Sequence, residues 1–146
     1  CLIEGTNLSE GRGTTRPFEW VGAPWLDAEA LVERLDALQL PGVRFRPQVF
    51  QPTFSKYAGQ RCNGLQVHVL DRDQFDPLAT ALHLIAEIRS LHPDRLTFRD
   101  SHFDRLIGAS SVRRALLAET PVEQIVAPWK GEGAFFDRRR RAFLIY

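Results

Sequence analysis

The sequence predicts an α/β or α+β fold, a mixed β-sheet flanked by helices in a single compact domain. Three observations carry that reading. Extended apolar pieces alternate with helical periods along the chain. The 146 residues, 44% hydrophobic and 25% charged, are enough for one sizeable core. No internal repeat or low-complexity linker divides them.

Each element has its own signal. Cys1–Ile3 reads as a short strand leading into a polar stretch. Phe18–Val21 is a second extended piece, ended by Gly22-Ala23-Pro24. Asp27 can cap a helix to about Leu38, with Leu31, Leu35 and Leu38 on one face, and Pro41-Gly42 stops it. Val43–Phe50 alternates apolar with polar, as a half-buried strand does, and Pro47 and Pro52 push it toward a sheet edge. Leu65–Leu70 is a further strand. Leu65, Val67 and Val69 share one face, Gln66 and His68 the other.

Asp76-Pro77 opens a helix to about Leu91, with Leu78, Leu82, Ile85 and Ile88 turned inward. His83, between two leucines, is expected on its solvent side. His92-Pro93 ends this helix, and Leu96–Arg99 is extended. Ser110 or Ser111 starts a helix through about Ala118. Pro121–Val126 adds a turn, and Phe135–Tyr146 fits a last helix or strand.

Residues 4–15, Glu-Gly-Thr-Asn-Leu-Ser-Glu-Gly-Arg-Gly-Thr-Thr, hold two carboxylates, one arginine, three glycines, four hydroxyls and an amide. Only Leu8 is apolar. Such a stretch is expected to be a mobile surface loop or a binding loop for a polyhydroxylated or anionic ligand. Asn7, Ser9, Glu10, Arg12 and Thr14 are its candidate ligand contacts. A second polar loop, Thr53–Asn63, adds Ser55 and Lys56 beside Phe54 and Tyr57. Gln66 and His68, on the polar face of their strand, need partners or a ligand if that strand is central. All three groups sit at strand ends, so they are expected on one side of the sheet, around one cleft.

Several functions have no support. A net charge of +1 gives no field for nucleic acid, and Arg138–Arg141 reads as the wet side of the terminal helix. No apolar run reaches the roughly 18 residues of a membrane span. Gly11-Arg12-Gly13 lacks the strand and helix of a nucleotide loop. The histidines, His68, His83, His92 and His102, are scattered without zinc-ligand spacing, so neither metal nor cofactor is expected. Neither Ser9 nor Ser55 sits in a nucleophile elbow. The chain does not begin with Met, which predicts a piece of a longer protein.

Cys1-Leu2-Ile3-Glu4-Gly5-Thr6-Asn7-Leu8-Ser9-Glu10-Gly11-Arg12-Gly13-Thr14-Thr15 resembles the exo-β-N-acetylmuramidase family of NamZ type, in its C-terminal domain. Arg16-Pro17-Phe18-Glu19 with Gly22-Ala23-Pro24-Trp25, Pro52–Tyr57, Cys62–Val69 and Phe103–Gly108 agree with it. The resemblance covers nearly the whole chain. It implies an exported bacterial cell-wall glycosidase that removes terminal N-acetylmuramic acid from peptidoglycan fragments. It also implies that residues 1–146 are the C-terminal domain of a two-domain protein, partnered by a Rossmann-like N-terminal half. The cleft would lie between the halves, and the carboxylates proposed for catalysis would lie in the absent one.

Glycoside hydrolysis needs two carboxyl groups. Glu4, Glu10 and Glu19 are the candidates within this chain, and Glu10 is the best placed. Its alternative role is to order the loop through Arg12 or Arg16. Arg12 is the first choice for reading the substrate's lactyl carboxylate, with Lys56 and Arg16 behind it. An exported family with two cysteines raises a Cys1–Cys62 disulfide; two buried thiols are the alternative. A non-catalytic carbohydrate- or protein-binding module is the other functional reading.

Overall fold

The computed structural model describes residues 1–145, without the side chains of residues 130, 132 and 134. A 3-10 turn, Leu2–Gly5, precedes strand β1 (Trp20–Ala23), helix α1 (Ala28–Ala37), and strands β2 (Val43–Phe50) and β3 (Cys62–Val69). Five helices follow: α2 (Pro77–Leu91), α3 (Asp100–Ile107), α4 (Ser110–Leu117), α5 (Val122–Val126) and α6 (Trp129–Arg140). A second 3-10 turn, Arg141–Phe143, ends the described chain.

The class is as expected: one compact α/β domain. The sheet is not the mixed one expected: both pairings are antiparallel, in the order β1-β3-β2, because β2 and β3 are consecutive strands that pair directly and β1 takes the other edge of β3 in the same sense as β2. Pro47 does lie on an edge strand, where its missing N–H breaks no central ladder. Val21, Ala23, Val43, Phe45 and Leu65 form the sheet's inner face, and pack with Leu31, Leu35, Leu82, Ile85 and Ile88 of α1 and α2. Asp27 caps α1 through Ala30 N–H, and Asp76 caps α2 through Leu78 and Ala79 N–H.

The other sheet face carries the alternate residues. Register sets Arg46 beside Gln66 and Arg44 beside His68. Trp20 flanks Gln66 from the other strand.

The structure departs from the sequence reading at several points. Cys1–Ile3 is no strand. Leu2 and Ile3 are buried in a 3-10 turn whose last residue, Gly5, lies under α3. A Cβ on Gly5 would come within 2.7 Å of the Phe103 Cα. Helix α3 was not foreseen, because only Phe103 of its eight residues is buried and no polar side chain caps it. Its Asp104 takes two 2.8 Å hydrogen bonds from Arg113 of α4, which hold its carboxyl below the usual range. The segment Phe103–Gly108 is thus packing machinery.

His83 is buried, 3.5 Å from Glu123, because α5 covers that side of α2. Cys1 and Cys62 are both free thiols. Cys1 borders α2 and α3 beside Pro77 and Leu106, whereas Cys62 starts β3 opposite Phe50. Each therefore belongs to a different part of the fold. The terminal segment is helical up to Arg140, and Tyr146 lies outside the described residues.

Candidate functional site

The stretch 4–15 is ordered by its own polar groups. Its first half lies inside the protein: Thr6, Leu8, Ser9 and Glu10 are all buried. A polar segment can be buried only if its backbone and side chains find partners, and here they do. Thr6 donates its hydroxyl to Ile3 O. Asn7 donates to Arg95 O at 2.8 Å and accepts from Thr97 N–H at 3.0 Å. Ser9 pairs its main chain with Gly22 and accepts Gly11 N–H on Oγ. Thr14 donates to Gly11 O and accepts from Arg16 N–H. The glycines and hydroxyls build turns, so Asn7, Ser9 and Thr14 each have a structural role.

The second loop joins the first at two places. Gly13 has φ of 82°, a conformation suited to glycine, and its carbonyl accepts both Thr53 N–H and the Thr53 hydroxyl. Lys56 Nζ then lies 2.9 Å from Leu8 O, 3.3 Å from Ile3 O and Glu4 O, and 3.0 Å from Glu10 Oε2. An ammonium has three protons, so four acceptors surround one saturated donor. The other Glu10 oxygen faces Arg12 Nε at 3.3 Å, and Arg12 Nη2 reaches Glu4 at 2.7 Å. Arg12 also lies over the Phe18 ring. Glu4, Glu10, Arg12 and Lys56 form a neutral cluster. Ser55 is exposed, with a left-handed backbone at φ 71°.

Gln66 and His68 lie elsewhere on the outer sheet face. Gln66 accepts from Arg46 at 3.0 Å and donates to Glu19 at 3.2 Å, which fixes its amide. Glu19 also meets Arg16 at 3.3 Å. Arg16, Glu19, Gln66, His68, Arg72 and Phe75 line an open groove of about 640 Å³. Among the described residues, neither Arg46 nor Arg72 is paired with a carboxylate.

Arg46 and Arg72 were not singled out from sequence; Arg16 and Glu19 were, as a reader of the acid and a candidate carboxylate, but their place beside Gln66 and His68 was not. The alternation of Arg44 and Arg46 was visible. Their register against His68 and Gln66 was not. A second hollow of about 450 Å³ lies between the loops, lined by Thr14, Trp20, Gln51 and Phe54.

Residues 1–146 match the family described as exo-beta-N-acetylmuramidase NamZ, C-terminal. The chain belongs to that family. It is 44% identical over 146 residues to the peptidoglycan beta-N-acetylmuramidase NamZ of Bacillus subtilis (strain 168), a match covering 99% of this chain and 35% of that protein. The crystal structure of a DUF1343 family protein from Bacteroides fragilis NCTC 9343 matches with a TM-score of 0.89 and 27% identity, over 99% of this chain and 40% of the other. A second such protein from the same organism gives 0.65 and 26%, over 100% and 38%. The chain therefore spans less than half the length of each of these relatives.

The match supports the hydrolase, glycosidase and peptidoglycan readings for the family to which this domain belongs. Among the described residues, no helix is long and apolar enough to cross a membrane. No group of three or more His, Cys, Asp or Glu residues there could hold a metal ion.

Proposed function

We propose that this chain is the C-terminal part of an exported exo-β-N-acetylmuramidase and lines the cleft that releases terminal N-acetylmuramic acid from peptidoglycan. The family match over residues 1–146 is the observation that carries this reading.

The geometry favours a binding role for this part. Glu10 is 5% exposed, and both its oxygens are engaged by cations. A catalytic carboxyl group must reach a glycosidic oxygen, the anomeric carbon or the attacking water. Glu10 serves instead to hold the two loops together. The family resemblance implies that the catalytic pair lies in the other part of the protein, and the engagement of Glu10 agrees with that. Muramic acid differs from glucosamine by a lactyl carboxylate. The outer-sheet groove offers Arg72 to that acid and His68 to neighbouring polar groups, with Gln66 and Arg16 held beside them by Arg46 and Glu19. Arg12, with two carboxylates on it already, would have to give one up to bind an anion.

The isolated domain should therefore not turn over a chromogenic N-acetylmuramide, while the longer protein should. A two-domain cleft is not assembled from one wall. Turnover by the isolated domain at a comparable rate would overturn the division of labour. Absence of turnover by the longer protein would overturn the activity.

A further inference from the structure

Helix α6 and the turn after it end the domain without being covered by it. Trp129 is the last described side chain to pack against the core. Beyond it, Phe135 and Phe136 are 55% and 63% exposed, Phe143 is 83% and Ile145 95% exposed, and Leu144 is half exposed. Five large apolar side chains left exposed within eleven residues of one segment are more than single scattered surface hydrophobics, and such a concentration suits an interaction surface.

Cations accompany them. Arg138–Arg141 run between the two apolar groups. Arg140 meets Asp137 at 2.7 Å, and Arg139 lies over the Phe135 ring at 5.7 Å. Among the described residues, Arg138 and Arg141 are not paired with a carboxylate.

We infer that this terminal segment is a clasp that docks onto the preceding part of the same polypeptide. The inference rests on the reading that this chain is one part of a longer protein. Its support is the length of chain outside the structure. The matched relatives carry this domain as 35%, 40% and 38% of their length, so each has a second body large enough to cover the segment. Interfaces between domains of one chain have an apolar centre and a polar rim. The phenylalanines and Ile145 supply the centre. Arg138 and Arg141 supply part of the rim, and call for acidic residues on the facing surface.

The test uses the longer protein with a protease site placed before Cys1. After cleavage, the two parts should co-elute in gel filtration. The variant Phe135→Asp/Phe136→Asp/Ile145→Asp should release this domain. So should a chain stopped after Arg141, which removes residues 142–146, Phe143, Leu144 and Ile145 among them, and is the milder change. The released domains should keep the circular dichroism and melting temperature of the wild-type domain, because none of these side chains belongs to the core cluster. Co-elution of both variants, or separation of the wild-type parts, would overturn the clasp. A dimer of the intact protein that the variants convert to monomer would also overturn it, since a second copy would then cover the segment. Muramidase turnover is read separately. Its absence would count against the proposed activity, and the elution profiles would still decide the clasp.

Discussion

Lys56 Nζ stands 3.0 Å from Glu10 Oε2 and caps three backbone carbonyls of the segment that holds Glu10. One side chain therefore ties together two loops that lie 46 residues apart in sequence. The Lys56 and Glu10 side chains are only 19% and 6% exposed, so water screens the pair weakly.

Lys56→Met should destabilise the domain by about 2–4 kcal/mol, since it leaves a buried carboxylate and three carbonyls short of a donor. Glu10→Gln in the same protein should restore part of that loss, since it removes a buried charge left with Arg12 as its one cation partner. Urea unfolding of the two single variants and the double variant measures the coupling. Strict additivity would show that the two side chains do not act as a pair.

Gly5→Ala tests the seat of the first turn. The new Cβ would lie 2.7 Å from both Cα and Cβ of Phe103, and a main-chain atom cannot step aside as a flexible side chain can. The expected loss is about 1–3 kcal/mol in denaturant unfolding, the usual result of overpacking. Shortening the ring with Phe103→Leu should give no rescue, because the clash with the main chain persists. Full rescue would show that only the ring matters.

Much of this fold was legible. Asp27 and Asp76-Pro77 announced α1 and α2 through local chemistry, the alternation of Val43–Phe50 announced a strand, and Pro47 and Pro52 put it at an edge. Local signals fail where partners are distant in sequence. Residues 4–11 look like a solvated loop, since nothing nearby reveals that Asn7 will bond the backbone of residues 95 and 97. His83 looks exposed until α5 folds over it. Helix α3 buries a single side chain, too little to leave a hydrophobic period. The site divides the same way. The polar face bearing Gln66 and His68 was readable from period two, but the arginines beside it depend on strand register.

Cys62 makes alkaline stability a test of burial. Enclosure without a charged partner raises its thiol from 9.0 to about 11. Above about pH 9 the unfolded chain loses this proton while the folded one keeps it, so the unfolded state is favoured as pH rises toward 11. The contribution at about pH 10 is roughly 1 kcal/mol. Urea unfolding at about pH 8 and about pH 10 should show a larger drop for the wild type than for Cys62→Ala. Equal drops would mean that the thiol titrates alike in both states. In the native protein at neutral pH, a thiol reagent should modify exposed Cys1 and leave Cys62 intact until the chain unfolds.

Arg72 and Arg12 separate recognition from support in the longer protein. Arg72 borders the groove and has no carboxylate partner among the described residues, so a bound lactyl acid would meet an unspent guanidinium. Arg72→Gln should weaken N-acetylmuramic substrates by about 1–3 kcal/mol, the worth of a charge-assisted hydrogen bond, and leave N-acetylglucosaminyl analogues nearly unchanged. Arg12 already holds Glu4 and Glu10. Arg12→Lys should therefore lower activity on both sugars to a similar extent, by loosening the loop that Lys56 and Glu10 brace. Comparing kcat/KM on the two sugars for each variant decides the assignment. A loss confined to muramic substrates in Arg12→Lys, with Arg72→Gln unaffected, would move the reading of the acid from the outer-sheet groove to the charged loop.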